Sequence, residues 1–213
     1  MNNFDVRHEI IECARSMLSN GLVQGTGGNF SMRVQDGFLI TPSGMDYRTL
    51  VESDIPKLSF ECEVIEGKRK PSVEMRLHSY IYKARPDVNA VIHTHSVYAT
   101  AFATLRRSLP VLTDNQAILF GGEIQTAEYA PIGTELLARN AVNALADGNA
   151  VLLANHGSLC TGKTLSEVSQ KCEMLEIFAK IFFLAQSAGG GIPLTKSEAE
   201  FEYANIAQNY GQK

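Results

Sequence analysis

Two histidines separated by one residue, His93 and His95, follow the apolar run 90–92 in the segment NAVIHTHS. Side chains at positions i and i+2 of a β-strand point to the same face, so the two imidazoles are expected to project together at the end of a strand. Imidazole is a preferred ligand of Zn²⁺ and of other divalent ions of similar chemistry. The pair therefore predicts a metal site, whereas a single histidine in such a position is usually solvated or hydrogen-bonded.

A catalytic zinc site commonly has three protein ligands, and His156 is the candidate for the third. It ends the segment AVLLANH, which repeats the arrangement of an apolar strand followed by histidine. If the two strands are close, three imidazoles converge where the strands end, at one end of the sheet. His156 taken alone is more simply a solvated residue. His8 is expected on the surface of the first helix. His78 lies four residues after Glu74 on a predicted helix, which makes it a neighbour of the site or a hydrogen-bonding core residue.

Three turns rich in Gly, Ser, Thr and Asn could hold an anion: TGGN at 26–29, PSG at 42–44 and KPSVE at 70–74. Such turns direct backbone N–H groups and hydroxyls toward a ligand, and the start of a helix favours negative charge. Each turn by itself is most simply a turn, and the spacing of GTGGNF does not match a nucleotide-binding motif. Together they predict a small phosphate site built from neutral donors. Glu74 beside the third turn is a candidate general acid or base, or else a carboxylate that complements the helix dipole.

The composition sets the class of protein. The chain has 213 residues, 45% of them hydrophobic, which is enough for one well-buried core or two small ones. A net charge of −4 gives no general attraction to nucleic acids or anionic membranes. Four scattered cysteines without a C-x-x-C pair are typical of a reduced intracellular protein. No apolar leader or membrane-length segment is visible, so we expect a cytoplasmic protein.

Helices and strands mix along the chain without a repeat or a clear linker, which predicts one α/β domain over residues 1–213. Periodicity predicts helices at 5–20, 73–85, 96–107, 131–147, 164–188 and from 197 onward. Strands are predicted within 25–34, 37–46, 53–67, 89–95 and 149–157. Ser72 is a candidate cap for the second helix, and Thr164 with Glu167 for the long one. The order of strands in the sheet does not follow from this pattern.

The motifs GTGGNFSMR, TPSG, PSVE, HTH and NHG occur in the order, and at about the separations, of the class II aldolase/epimerase family, which the chain resembles over almost its whole length. The resemblance implies a central, mainly antiparallel sheet flanked by helices on both faces. It also implies a homotetramer of C4 symmetry with active sites at subunit interfaces. The implied activity is zinc-dependent, reversible cleavage of a ketose 1-phosphate, similar to L-fuculose 1-phosphate, into dihydroxyacetone phosphate and an aldehyde.

The family's functional residues carry over to the positions that match its motifs. One zinc ion per subunit would be held by His93, His95 and His156, and another divalent ion is an alternative occupant. Glu74 would shuttle a proton and can also approach the metal. Tyr210, in the segment NYG, matches a tyrosine that donates to the aldehyde oxygen from a neighbouring subunit. Phosphate contacts carry over to six residues: Thr26, Gly28, Asn29, Ser43, Gly44 and Ser72.

Two positions depart from the aldolase pattern and leave other reactions open. Val73 stands where the family has a second phosphate-binding serine, a loss of about 1 kcal/mol of hydrogen bonding. Asp114 stands near the position of a catalytic tyrosine; the related epimerases have an aspartate in this region, but they also have aspartate in place of Glu74. The alternatives are a pentulose-phosphate 4-epimerase, a sugar-phosphate or sugar-acid dehydratase or decarboxylase, and a non-catalytic relative. The intact histidines and Glu74 argue against the last.

Overall fold

The computed structural model describes residues 3–209, and within them the chain forms seven α-helices and eight β-strands. The helices are α1 (Asn3–Ser19), α2 (Met75–Ala84), α3 (Val97–Ala103), α4 (Asp114–Phe120), α5 (Glu135–Leu145), α6 (Leu165–Ser187) and α7 (Lys196–Asn209). The strands are β1 (Asn29–Val34), β2 (Gly37–Ile40), β3 (Lys57–Leu58), β4 (Val64–Glu66), β5 (Ala90–Thr94), β6 (Thr126–Ala127), β7 (Ala150–Leu153) and β8 (Gly157–Gly162). Two 3-10 helices, Tyr47–Thr49 and Glu52–Asp54, lie between β2 and β3.

The eight strands form one sheet in the order β4-β3-β2-β1-β5-β8-β7-β6. Neighbouring strands are antiparallel except β6 and β7, which are parallel. The mainly antiparallel sheet that the resemblance implied is therefore confirmed. The histidine-bearing strand β5 lies between β1 and β8, where His93 is paired with Asn29 on one side and with Leu159 on the other.

The sheet separates two hydrophobic cores, and helices cover both of its faces. Successive residues of β5 point to opposite faces, so Ala90 and Ile92 join one core and Val91 joins the other. The first core packs α1, α3 and α6 against the sheet, and the second packs α2 and α5. Because both faces are covered, successive residues of a central strand can all be apolar, which accounts for the continuous runs AVI in β5 and AVLL in β7.

Most of the predicted elements are present, with shifts at their ends. The second helix begins at Met75, later than predicted, and its N-cap is Glu74, so the prediction that Ser72 caps it was wrong. The hydroxyl of Ser72 instead accepts a hydrogen bond from the N–H of Glu74 in the turn before the helix. Thr164 caps α6 as predicted. The helix α4 and the strands β6 and β8 are additions that the sequence pattern did not predict.

The four cysteines are free thiols. Cys160 and Cys172 belong to the first core and Cys13 packs against it. Burial raises the pKa of the Cys13 thiol to about 12, so this residue is an inert packing group at neutral pH. No helix within residues 3–209 has the length and apolar composition needed to cross a bilayer.

Candidate active site

Four side chains that are distant in sequence converge at one end of the sheet: Glu74, His93, His95 and His156. One donor atom from each lies within 4.8 Å of the others. The Nε2 atom of His93 is 2.9 Å from Nε2 of His95 and 3.2 Å from Oε2 of Glu74. The Nε2 atom of His156 is 3.4 Å from Oε1 of Glu74. The three imidazoles expected at one end of the sheet thus meet there, together with a carboxylate.

The strand β5 orients the first two imidazoles. His93 is fully buried, and its Nδ1–H donates to the backbone carbonyl of Ser158 on β8 over 2.8 Å. This bond directs Nε2 toward the cluster, which is how a histidine ligand is usually held by its second nitrogen. His95 follows Thr94, the last residue of the strand, so the alternation of the strand places its ring beside that of His93.

His156 reaches the cluster from the three-residue turn 154–156 between β7 and β8. Asn155 in this turn has a φ of +56°, a left-handed conformation that asparagine tolerates better than most residues. Its side-chain oxygen accepts a hydrogen bond from Nε of Arg106 over 2.7 Å, which holds the turn. Since β8 separates β7 from β5, the turn carries the His156 ring across the end of β8 to 4.7 Å from the ring of His93.

Glu74 directly precedes α2 and is buried. Its Oε2 accepts a hydrogen bond from Nδ2 of Asn29 over 2.9 Å. Its Oε1 has no hydrogen-bond partner among the described residues. A buried acceptor without a donor costs about 1–3 kcal/mol, a cost that a cation beside it would remove.

The groups of the cluster shift one another's protonation. Burial alone would raise the pKa of Glu74, but His93 and His156 outweigh burial and lower this pKa well below its usual range. Burial, reinforced by the other two imidazoles, lowers the pKa of His95 to about 4. Burial and then His93 lower the pKa of His156 to about 4. Burial opposes the charged form of His93, yet the Glu74 carboxylate raises its pKa overall. At neutral pH the cluster offers a carboxylate and two neutral imidazoles, the forms that bind cations.

This donor set fits a divalent metal ion. Donor atoms at about 2.0–2.1 Å from one tetrahedral ion lie roughly 3.3 Å apart, and the three separations above run from 2.9 to 3.4 Å. Both ring nitrogens of His156, like Oε1 of Glu74, are buried without a hydrogen-bond partner in the described part of the chain. Three imidazoles and one carboxylate suit zinc and similar ions better than magnesium or calcium, which prefer oxygen ligands.

The TGGN turn packs its backbone against two of the histidines. A Cβ atom on Gly27 would lie 2.9 Å from Nδ1 of His95. Gly28 has a φ of +74°, and a Cβ there would lie 2.7 Å from the carbonyl oxygen of His93. The hydroxyl of Tyr47 donates to the carbonyl oxygens of both glycines, at 3.1 and 2.7 Å. Close packing therefore requires both glycines, and Tyr47 is a supporting residue that the sequence pattern did not reveal.

A pocket of about 170 Å³ lies over the cluster and gathers the three predicted turns. An isolated antiparallel bridge between Pro42 and Pro71 joins the second and third turns. Glu74, His95 and His156 contribute to its lining, and none of its described lining residues is a lysine or an arginine. The lining also includes all six residues predicted to contact phosphate: Thr26, Gly28, Asn29, Ser43, Gly44 and Ser72.

Of three further residues singled out in the sequence, Val73 lines this pocket, Asp114 is not among its described lining residues, and Tyr210 is not described. Asp114 is exposed at the start of α4, accepts a hydrogen bond from the N–H of Asn115, and is not among the described lining residues. Val73 is 60% exposed and lines the pocket together with Ile132, which is also exposed. Tyr210 lies outside the described residues, and its role stays a prediction.

The two remaining histidines occupy the kinds of position that were predicted. His8 lies at the surface of α1. His78 is fully buried and hydrogen-bonds to Ser31 and Asn29, so it is a neighbour of the cluster and not one of its donors. Burial, with His93 adding to it, lowers the pKa of His78 to about 3 and keeps its ring neutral.

Most of the chain matches a known family. Residues 8–183 match the family model described as Class II Aldolase and Adducin N-terminal domain, and this span includes every residue of the cluster. The chain belongs to this family. The class II aldolase resemblance found in the motifs is therefore confirmed.

Similar proteins in the class II aldolase family are named as sugar-phosphate aldolases. The chain is 38% identical over 210 residues to the 5-deoxy-D-ribulose 1-phosphate aldolase of Bacillus thuringiensis, with 97% of each chain covered. It is 40% identical over 178 residues to the 5-methylthioribulose-1-phosphate/5-deoxyribulose-1-phosphate aldolase of Rhodospirillum rubrum, covering 84% of this chain and 80% of the relative. A solved L-fuculose 1-phosphate aldolase has a TM-score of 0.93 at 37% identity, covering 97% of this chain and 98% of that one.

The likeness to class II aldolases extends over nearly the whole chain. It confirms the predicted α/β fold with helices on both faces of the sheet. It also identifies the chain as a lyase of the class II aldolase type. The pocket above Glu74 and the three histidines is accordingly the candidate active site.

Proposed function

We propose that this protein is a zinc-dependent aldolase that reversibly cleaves a ketose 1-phosphate into dihydroxyacetone phosphate and an aldehyde. The observation that carries the proposal is the convergence of His93, His95, His156 and Glu74 at a pocket whose other walls are hydroxyl-bearing and glycine turns. Relatives whose names specify three different ketose 1-phosphates share 37 to 40% of their residues with the chain. They differ in the aldehyde half of the substrate and agree in the phosphorylated half.

The phosphate is proposed to bind in the three turns. Ser72 is buried, and because its oxygen accepts from the N–H of Glu74, its own O–H is free to donate to a ligand. Ser43 and Thr26 add exposed hydroxyls, and Gly44 adds a flexible backbone N–H. Donors of this kind carry no charge. They can therefore hold a phosphate without forming an ion pair with the nearby Glu74 carboxylate.

Cleavage breaks the bond between C3 and C4 of the ketose. The C4 hydroxyl passes its proton to the Glu74 carboxylate and C4 becomes the aldehyde carbon, while the bonding electrons pass to C3 and the adjacent carbonyl as the enediolate of dihydroxyacetone phosphate. Glu74 delivers a proton to C3 to complete this product, and takes the same proton in the direction of synthesis. A bound divalent cation supplies positive charge that stabilises the negative charge developing on the substrate oxygens.

The aldehyde half of the substrate is proposed to be short and poor in hydroxyls. Ile132 presents exposed apolar surface to the pocket. Two of the relatives are named for 5-deoxyribulose 1-phosphate, whose terminal carbon is a methyl group. A 5-deoxypentulose 1-phosphate is therefore the first substrate to test, and L-fuculose 1-phosphate the second.

The proposal extends to the assembly. Asp114 is not among the described residues that line the pocket of its own chain. This fits the predicted C4 homotetramer, in which the active site at an interface receives residues from a neighbouring subunit. Tyr210 would then donate to the aldehyde oxygen, and the role of Asp114 would lie in the same region. A cytoplasmic location and a single domain over 1–213 complete the proposal.

A substrate panel tests the proposed function. Zinc-reconstituted protein is incubated with 5-deoxyribulose 1-phosphate, 5-methylthioribulose 1-phosphate, L-fuculose 1-phosphate, ribulose 5-phosphate and an unphosphorylated ketose, and the products are identified. Release of dihydroxyacetone phosphate supports the aldolase, whereas an isomer, loss of water or release of carbon dioxide identifies the epimerase, dehydratase or decarboxylase. Glu74→Gln is expected to reduce cleavage by about 10²–10⁴-fold. Glu135→Gln removes an exposed carboxylate on α5 and is the matched control.

A further inference from the structure

A row of buried polar side chains runs from the second core to the back of the Glu74 carboxylate. The hydroxyl of Tyr82 is 2.7 Å from Oγ of Ser31, and that oxygen is 2.6 Å from Nδ1 of His78. The Nε2 atom of His78 hydrogen-bonds to Oδ1 of Asn29, whose Nδ2 donates to Oε2 of Glu74 over 2.9 Å. The side chains come from two elements, β1 and the α2 helix with the residue before it, and all five are less than 5% exposed.

The chemistry of these groups fixes the direction of every bond in the row. An ionised Glu74 can only accept, so the amide nitrogen of Asn29 must face it and the amide oxygen must face His78. That oxygen can only accept, so Nε2 of His78 must carry the hydrogen. A neutral imidazole then accepts at Nδ1, which requires the hydroxyl of Ser31 to donate to it. The hydroxyl of Tyr82 in turn donates to the oxygen of Ser31.

The neutral state of His78 follows from its surroundings. The ring is fully buried, and neither of its two hydrogen-bond partners, Ser31 and Asn29, is a carboxylate that would stabilise an imidazolium. Burial lowers the pKa of His78 to about 3, with His93 adding to the effect and Glu74 opposing it.

We propose that His78 is a positioning residue for the proton transfer at Glu74. As the Nε2–H tautomer, it holds the amide of Asn29 in one orientation, and Asn29 holds Oε2 of Glu74. Oε1 is thereby left as the oxygen without a hydrogen bond, on the side of His156 and the pocket. This inference rests on the proposed function, in which Glu74 exchanges a proton with the substrate. A carboxylate that is free to rotate would present the reactive oxygen less often, so the loss falls on turnover and not on substrate binding.

The chain offers variants that separate positioning from packing. His78→Leu keeps the buried volume approximately and removes both hydrogen bonds of the ring. His78→Gln provides an amide N–H and a carbonyl oxygen, which reproduce the donor and the acceptor of the proposed tautomer. Ser79→Ala is the matched control, because Ser79 is the next residue of α2, is equally buried, and donates to the carbonyl of Phe60, away from the cluster.

The test measures deuterium uptake from solvent by dihydroxyacetone phosphate on the zinc-loaded protein, with kcat, KM and bound zinc determined for each variant. His78→Leu is expected to lower kcat by about 10–100-fold with KM within about twofold and zinc content unchanged. His78→Gln recovers part of this loss, and Ser79→Ala behaves as the unaltered protein. An undiminished kcat in His78→Leu overturns the positioning role. A loss matched by Ser79→Ala overturns it as well, since general damage to α2 would then account for the effect.

A second measurement does not depend on catalysis. Nitrogen-15 NMR of the zinc-loaded protein, labelled at histidine, reports which ring nitrogen of His78 carries the hydrogen at pH 7. The inference requires Nε2–H with a bare Nδ1, and an Nδ1–H tautomer or an imidazolium overturns it even if His78→Leu fails to fold. If the unaltered protein exchanges no deuterium, the proposed function fails on that substrate, while the tautomer still decides whether the row of bonds has the inferred direction.

Discussion

Nδ1 of His95 lies 2.9 Å from the position that a Cβ atom on Gly27 would occupy, so the glycine leaves room for the imidazole. This relationship gives Gly27→Ala a defined effect. The added methyl group displaces the His95 ring, and the dissociation constant for zinc is expected to rise about tenfold or more. A competition titration with a chromophoric chelator measures it. Gly122→Ala is the control, because a Cβ there meets nothing within 4 Å. Equal zinc affinity in both variants would contradict the close approach.

Metal binding is expected to release a proton near neutral pH. The Glu74 carboxylate raises the pKa of His93, so a proton on this ring competes with a cation up to a higher pH than on an ordinary imidazole, whereas His95 and His156, with pKa values lowered to about 4, are neutral at pH 7. A cation requires neutral imidazole. Zinc affinity should therefore rise by up to about tenfold per pH unit below the pKa of His93 and level off above it. Calorimetry in buffers of different ionisation enthalpy, repeated over a range of pH, counts the protons released, and a zinc affinity that does not change with pH would refute this assignment.

Restoring a hydroxyl at position 73 is expected to tighten substrate binding. Val73 is exposed at the pocket, where Ser would add one donor near the proposed phosphate site. One such bond contributes about 1 kcal/mol, so Val73→Ser should lower KM for a phosphorylated ketose about fivefold with little change in kcat. Val73→Ala removes the apolar side chain without adding a donor and isolates the hydroxyl's effect. If both variants change KM equally, the phosphate does not reach this position.

Removing the hydroxyl of Tyr47 is expected to loosen the TGGN turn. The ring is buried against Phe30, and its hydroxyl donates to the carbonyl oxygens of Gly27 and Gly28. Tyr47→Phe keeps the ring contacts and leaves the two carbonyls without this donor, a loss of about 1–3 kcal/mol. Thermal unfolding should shift downward by a few degrees, roughly 2–4 °C per kcal/mol for a chain of this size. KM should rise in the same variant. An unchanged melting temperature would show that the bonds contribute nothing to the turn.

The histidine pair at the centre of the cluster was predictable because its information is local. Strand alternation alone places His93 and His95 on one face, and the repeated pattern of an apolar run ending in histidine selects His156. The two long helices are likewise local, since amphipathic spacing and the cap at Thr164 predict them. The placement of His93 beside His95 and the two helices need no knowledge of which strands are neighbours, whereas the approach of His156 depends on β7 lying close to β5 in the sheet.

The support of the cluster was not predictable, because it depends on contacts between distant elements. The segment of β8 is rich in small and polar residues and has no clear alternation, yet it lies between β5 and β7 and joins the histidines. The helix α4 has seven residues, too few for a periodic signal, although Thr113 caps it and Gly121 ends it. The bonds of Tyr47 to the glycine turn, and of His78 to Asn29, cross 19 or more positions of sequence.

We propose that the cluster of Glu74 and three histidines is a metal centre that drives cleavage of a ketose 1-phosphate. Zinc added stepwise to chelator-treated protein tests this proposal, while release of dihydroxyacetone phosphate from 5-deoxyribulose 1-phosphate and L-fuculose 1-phosphate is followed. We expect activity that rises in proportion to zinc up to one equivalent per chain and is abolished by His95→Ala. Cleavage that persists in the metal-free protein, or no cleavage of either substrate at one bound equivalent, would contradict it.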